Sequence, residues 1–103
     1  MMMSEEQESR ETENSPTIVL EEMIAIGSQK LANVIGLKLL AVVEVRRQEE
    51  SESGWMMKLE FVEREGIPNT MDLVGLYEAA FDQSGRLQNY TRLDMRKRGE
   101  SYN

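Results

Sequence analysis

Carboxylates, tyrosines and cationic side chains carry whatever chemistry this sequence can do, because it contains neither histidine nor cysteine. A Ser-His-Asp triad, a Cys-His dyad and any imidazole or thiolate metal site are excluded at once. Asp72, Glu78 and Asp82 lie close together in the sequence, with Glu60 a little before them. An enzyme built on Glu60, Asp72 and Glu78 would need them to converge in one cleft with separated pKa values. The local pattern gives each acid another place. Asp72 falls at a strand entrance, Glu78 in a cross-strand charge ladder and Asp82 in a turn. Metal binding by the three acids, with no imidazole in reach, is not expected. Glycine-rich nucleotide cradles are absent as well. Catalysis is not excluded by composition, but carboxylates, lysine and tyrosine would have to carry it alone, and no cofactor is expected.

Two further groups have chemical potential. Trp55, Phe61, Tyr77 and Phe81 could form a stacking platform, but their alternation puts them on one strand face, where a hydrophobic core is the better reading. The run Tyr90-Thr91-Arg92-Leu93-Asp94-Met95-Arg96-Lys97-Arg98 has cations for phosphates and a tyrosine for stacking. Asp94 interrupts it, and the chain is acidic overall, with 12 Lys and Arg against 19 Asp and Glu. A basic edge that meets an acidic protein surface is favoured over nucleic acid.

These groups must be held by elements readable from the periodicity. Ser15-Pro16 has the chemistry of a helix start, a hydroxyl cap followed by a proline at the first helical position. Leu20, Ile24, Leu31 and Ile35 recur at helical spacing, and Gly36 is a fitting stop. One amphipathic helix is predicted from about residue 16 to residue 35. The period then changes to two. Leu39, Ala41, Val43 and Val45 form one alternating set, followed by Trp55 to Phe61, Leu73 to Phe81, and Leu87, Thr91, Leu93 and Met95. Turn-forming residues separate the runs at 50–54, 66–70 and 82–85. Short connections join antiparallel neighbours. The prediction is an α+β domain over residues 16–99, one helix on a four-stranded antiparallel meander. A disordered acidic tail at 1–15 and a short tail at 100–103 flank it. The first carries five glutamates against Arg10 alone, with no aromatic residue.

Centring the hairpins on their turns sets Trp55 against Phe81, Met57 against Ala79, Leu59 against Tyr77 and Phe61 against Gly75. All the large apolar groups then share one face. On the other face Glu44, Lys58 and Glu78 line up with alternating sign, a pattern worth about 0.2–1 kcal/mol per pair. That outer face also gathers Leu40, Val42, Val62, Val74 and Leu76, with Arg92 and Asp94 on the adjoining strand. Val62, Val74 and Leu76 are therefore candidate partner-binding residues, together with Tyr90, Arg92, Arg96, Lys97 and Arg98. The same patch would admit a second copy of the chain.

Gly54-Trp55, Glu60-Phe61-Val62-Glu63, Ile67-Pro68-Asn69-Thr70-Met71-Asp72, Leu76-Tyr77-Glu78, Asp82-Gln83-Ser84-Gly85, Tyr90-Thr91-Arg92-Leu93 and Arg98-Gly99 occur here in fixed order and spacing. Together they resemble the gas vesicle protein O (GvpO) family, from about residue 54 to residue 99. The sequence departs from that family at Arg96, where an aromatic residue is frequent, and at Phe61, where a smaller aliphatic one is usual. The resemblance implies a non-enzymatic accessory protein in gas vesicle formation, an assembly or adaptor module. As partners it implies other gas vesicle proteins, among them the GvpN-type ATPase. A nucleic-acid-binding regulator of gas vesicle gene expression, acting through the basic C-terminal strand, is the alternative. No apolar stretch is long enough to span a membrane and no secretory signal pattern opens the chain, so the expected location is the cytoplasm, with association to gas vesicles.

Overall fold

The computed structural model describes residues 18–48 and 54–102. The acidic segment 1–15, the Ser15-Pro16 cap and most of the 50–54 turn lie outside them. One helix, α1 (Leu20–Ile35), precedes four strands, β1 (Lys38–Gln48), β2 (Gly54–Arg64), β3 (Leu73–Phe81) and β4 (Leu87–Lys97). The strands form one antiparallel sheet in the order β1-β2-β3-β4. This is the predicted helix-on-meander fold.

The helix starts later than its sequence suggests. Ile18 and Val19 precede it; Val19 is extended and offers no side-chain cap, and Ile18 N–H donates to the Gln83 carbonyl at 3.4 Å. Ile18 is held against the β3–β4 turn instead of continuing a helical turn. Glu21 and Glu22 in the first turn suit the helix dipole. At the far end Gly36 is left-handed, with φ 78°, and its N–H donates to the Ala32 carbonyl at 2.8 Å. Met23, Gly27, Ser28 and Leu31 form the buried stripe. Gly27 is the point of closest approach, since a Cβ there would collide with the Met57 sulfur.

The core lies between α1 and the sheet. Met23 and Leu31 meet Trp55, Met57, Leu59, Phe61, Tyr77, Ala79 and Phe81. Phe61 and Tyr77 pack edge to face, with ring centroids 5.6 Å apart. The β2–β3 register is the predicted one at all four pairs, and Glu44, Lys58 and Glu78 do align across three strands. Asp82 closes the next hairpin by accepting from Ser84 N–H, the Ser84 hydroxyl and Arg86 N–H, each at 2.9 Å. Burial pushes this carboxyl up, but the three donors hold it below the ordinary carboxylate range. Gly85 takes the left-handed position, with φ 89°.

The two edge strands depart from strict alternation. In β1 the register shifts between Leu39 and Ala41 and again between Val42 and Glu44. Each shift inserts a bulge residue, so Leu39, Val42 and Val45 share the core face and Val43 turns out to solvent. Val42 is thus a core-side residue, not a member of the outer face. In β4 the register shifts opposite Leu76/Tyr77 and Ala80/Phe81. The core-side set becomes Leu87, Tyr90, Arg92 and Met95, opposite Phe81, Ala79, Tyr77 and Gly75. Arg92 accordingly lies on the helix side of the sheet, not beside Asp94 on the outer side.

Candidate functional site

The polar chemistry of the described residues gathers where β2, β3 and β4 end. Three carboxylates there each hold an arginine. On the helix side, Glu63 sits at a register shift in β2. It accepts from the Tyr77 hydroxyl at 2.6 Å, and Arg92 grips it with two nitrogens at 3.0 and 2.5 Å. The cluster fits because residue 75 is glycine: a Cβ there would run into the Glu63 carboxylate and the Tyr77 ring. Burial, then the bond to Glu63, pushes the Tyr77 hydroxyl up to about 12. Glu63 and the Tyr77 ring thus fill the space beside Gly75.

On the outer side Glu60 does the corresponding work. Arg96 reaches its two oxygens at 3.2 and 3.1 Å, and the Tyr102 hydroxyl donates to it at 2.6 Å. The Arg96 guanidinium lies 5.2 Å from the Tyr102 ring centroid. It also donates to the carbonyls of Arg98 at 2.7 Å and Glu100 at 2.9 Å, so the chain after β4 winds around it. Burial, then the bond to Glu60, pushes the Tyr102 hydroxyl up to about 12.

The third carboxylate ties the β2–β3 loop together. Asp72 accepts from Gly66 N–H at 2.7 Å and from Arg98 at 3.0 Å. The backbone donor first, then Arg98, hold it below the ordinary carboxylate range against the opposing effect of burial. Gly99 N–H donates to the Thr70 carbonyl and Arg98 N–H to the Asp72 carbonyl, pinning the chain after β4 to this loop. The loop includes a cis Ile67–Pro68 peptide bond and a 3-10 turn over Asn69–Met71, and it leaves Ile67 97% exposed.

The candidate residues are therefore distributed over the sheet. Tyr90 and Arg92 lie on the helix side of β4, Arg96 lies on the outer side, Lys97 ends the strand and Arg98 belongs to the loop clamp. Three of the four cations are committed to carboxylates. Val62 and Val74 pair across β2 and β3 on the outer face, but they are 7% and 0% exposed, so they are not an open patch. Leu76, opposite Glu60 and Asp94, is half-buried. On β4, by contrast, Tyr90, Leu93 and Met95 are 43–45% exposed. Tyr102, the counterpart of Tyr77, had no marker in the local sequence pattern.

The candidate acids belong to different local structures. Glu60, Asp72 and Asp82 each have donors of their own, and Glu78 lies beside Lys58 in the ladder. Among the described residues no three acidic side chains group in a way that would hold a metal ion. Trp55 borders a cavity of about 580 Å³ lined by Ile18, Val19, Leu20, Val45 and Arg47, which contains no carboxylate. No helix among the described residues is long and apolar enough to cross a membrane.

The chain is 33% identical over 95 residues to gas vesicle protein O of a Streptomyces species, which covers 92% of this chain and 69% of that one. It is 35% identical over 54 residues to gas vesicle protein O1 of Halobacterium salinarum, covering 52% of this chain and 45% of the relative. With gas vesicle protein O of Haloferax mediterranei it shares 38% identity over 47 residues, or 46% and 34% of the two chains. The matched stretches thus span less than half the length of the Halobacterium and Haloferax proteins. No solved structure matches. The family model described as gas vesicle synthesis protein GvpO matches residues 5–102, all the elements above included. The chain belongs to the gas vesicle synthesis protein GvpO family, and its process is gas vesicle formation.

Proposed function

We propose that this chain is a non-enzymatic assembly module that binds other gas vesicle proteins in the cytoplasm, among them the GvpN-type ATPase. One observation supports the reading above all: on β4, Tyr90, Leu93 and Met95 stay half exposed around Arg92. Aromatic, methionine and arginine side chains together are the composition of protein interface cores. The tethered arginines also favour a protein partner over nucleic acid. A phosphate would have to compete with Glu63, Glu60 and Asp72 for Arg92, Arg96 and Arg98.

Co-production of the tagged chain with the other gas vesicle proteins tests this. The double substitution Leu93→Asp and Met95→Asp keeps the circular dichroism of the parent and loses co-purification of those proteins. Unchanged recovery would remove β4 as the docking side. Salt-dependent retention of the parent chain on RNA or DNA, with no gas vesicle protein recovered, would favour the regulatory alternative.

A further inference from the structure

Among the described residues no helix or strand covers the outer face of the sheet, yet Val74 is completely buried there and Val62 almost so. The register shows what lies beside them. Arg96 is the β4 partner of Val74, Val62 its β2 partner, and Glu60 stands two residues before Val62 on the same face. Tyr102 sits on this group with its ring against Arg96 and its hydroxyl on Glu60. Among the described residues, Arg96 and Glu60 flank the two valines, and the segment that follows β4 lies against both of these side chains.

This segment is held in two unequal parts. Arg98 and Gly99 are tied to the β2–β3 loop by two backbone hydrogen bonds and the Asp72 ion pair. Glu100–Tyr102 hold on through the Glu100 N–H to Lys97, the Arg96 contact with the Glu100 carbonyl, and Tyr102. The first part is an anchor and the second a short arm.

We infer that Glu100–Tyr102 are a displaceable cover over a latent docking surface, Val62, Val74 and Leu76, which takes a partner's extended segment bearing a tyrosine in place of Tyr102. The chemistry of the occupant follows from what the arm supplies. An aromatic ring lies against a guanidinium and a neutral hydroxyl donates to a carboxylate, beside two valines. Phenylalanine would fill the same space and leave Glu60 without that donor. This inference rests on the adaptor reading for its biological meaning, but the cover itself is tested without a partner.

The full chain carrying Tyr102→Ala is compared with the parent by amide exchange and by binding of a hydrophobic dye. The expected result is unchanged circular dichroism, exchange at Val74–Leu76 faster by about tenfold, the factor lost with the ring contact to Arg96 and the hydrogen bond to Glu60 together, and new dye binding. A peptide of sequence Arg-Gly-Glu-Ser-Tyr, added at millimolar concentration, then displaces the dye, and its phenylalanine counterpart displaces less. A variant that unfolds would make the arm part of the core and overturn the inference. So would a folded variant with parental exchange and no dye binding. Dye binding that neither peptide reverses would overturn the tyrosine-bearing partner. Co-purification of gas vesicle proteins with Tyr102→Ala is a separate readout. Its absence, with the cover shown to open, counts against the adaptor reading alone.

Discussion

The sheet carries the same three chemical groups twice, once on each face, and the two sets are built differently. On the helix side Glu63 of β2 meets Arg92 of β4 and Tyr77 of β3. On the outer side Glu60 of β2 meets Arg96 of β4 and Tyr102 from beyond the last strand. Both hydrogen bonds from tyrosine to glutamate are 2.6 Å long, and both phenols are pushed up to about 12. The difference is where the tyrosine comes from. Tyr77 is already fixed by the β3 ladder and by its edge contact with Phe61, so its bond to Glu63 requires little further ordering. Tyr102 must be ordered by the very contacts it makes. Ordering a residue's backbone alone opposes them by about 1–2 kcal/mol. Equal geometry thus supports a structural cluster on one face and a releasable one on the other.

Three measurements separate the two clusters. The largest effect is expected from Glu63→Ala, which leaves the Tyr77 hydroxyl and Arg92 without their acceptor beside the core. A loss of about 2–3 kcal/mol by urea unfolding is expected. A loss no greater than that of an exposed surface change would mean that water replaces the carboxylate and that the cluster is not structural. Next comes alkaline pH. A tyrosine whose folded pKa is raised from 10.0 to about 12 favours the folded state while neutral. Its contribution is complete below pH 10 and is lost as pH rises through about 12. For buried Tyr77 this amounts to at most about 3 kcal/mol. Tyr77→Phe should flatten the decline of stability across that window, whereas Tyr102→Phe should leave most of it. The smallest effect is on stability at neutral pH: about 1 kcal/mol for Tyr77→Phe and under about 0.5 kcal/mol for Tyr102→Phe. Equal losses at neutral pH would erase the distinction between the faces.

The reading from sequence was reliable where alternation is uninterrupted and a turn sets the centre. The pairing of Trp55 with Phe81 through to Phe61 with Gly75 follows from Asp82–Gly85 and from the need to bury one set of side chains. It was unreliable at the edges. A bulge in an edge strand leaves its spare backbone group in water, so nothing in the residue types of Leu40, Val43 or Leu93 announces it. One inserted residue nevertheless moves Val42 and Arg92 to the opposite face. The helix start was misplaced for a similar reason. Ser15-Pro16 has good capping chemistry, but the tie of Ile18 to Gln83, across the fold, competes with extension of the helix. The outer cluster was illegible because its members are separated by 36 and 42 residues and share no period. Arg96, already conspicuous as a departure from the family pattern, was the one visible trace of it.

The bulges have a further bearing on how such a chain behaves in company. A sheet with two unpaired borders is ordinarily a template, and identical molecules brought close together would tend to zip into ribbons. Here the pairing of each border strand shifts twice within eleven residues, so a straight neighbouring strand would lose step along it. Copies of the chain brought together would therefore not zip into a ribbon through the described edges.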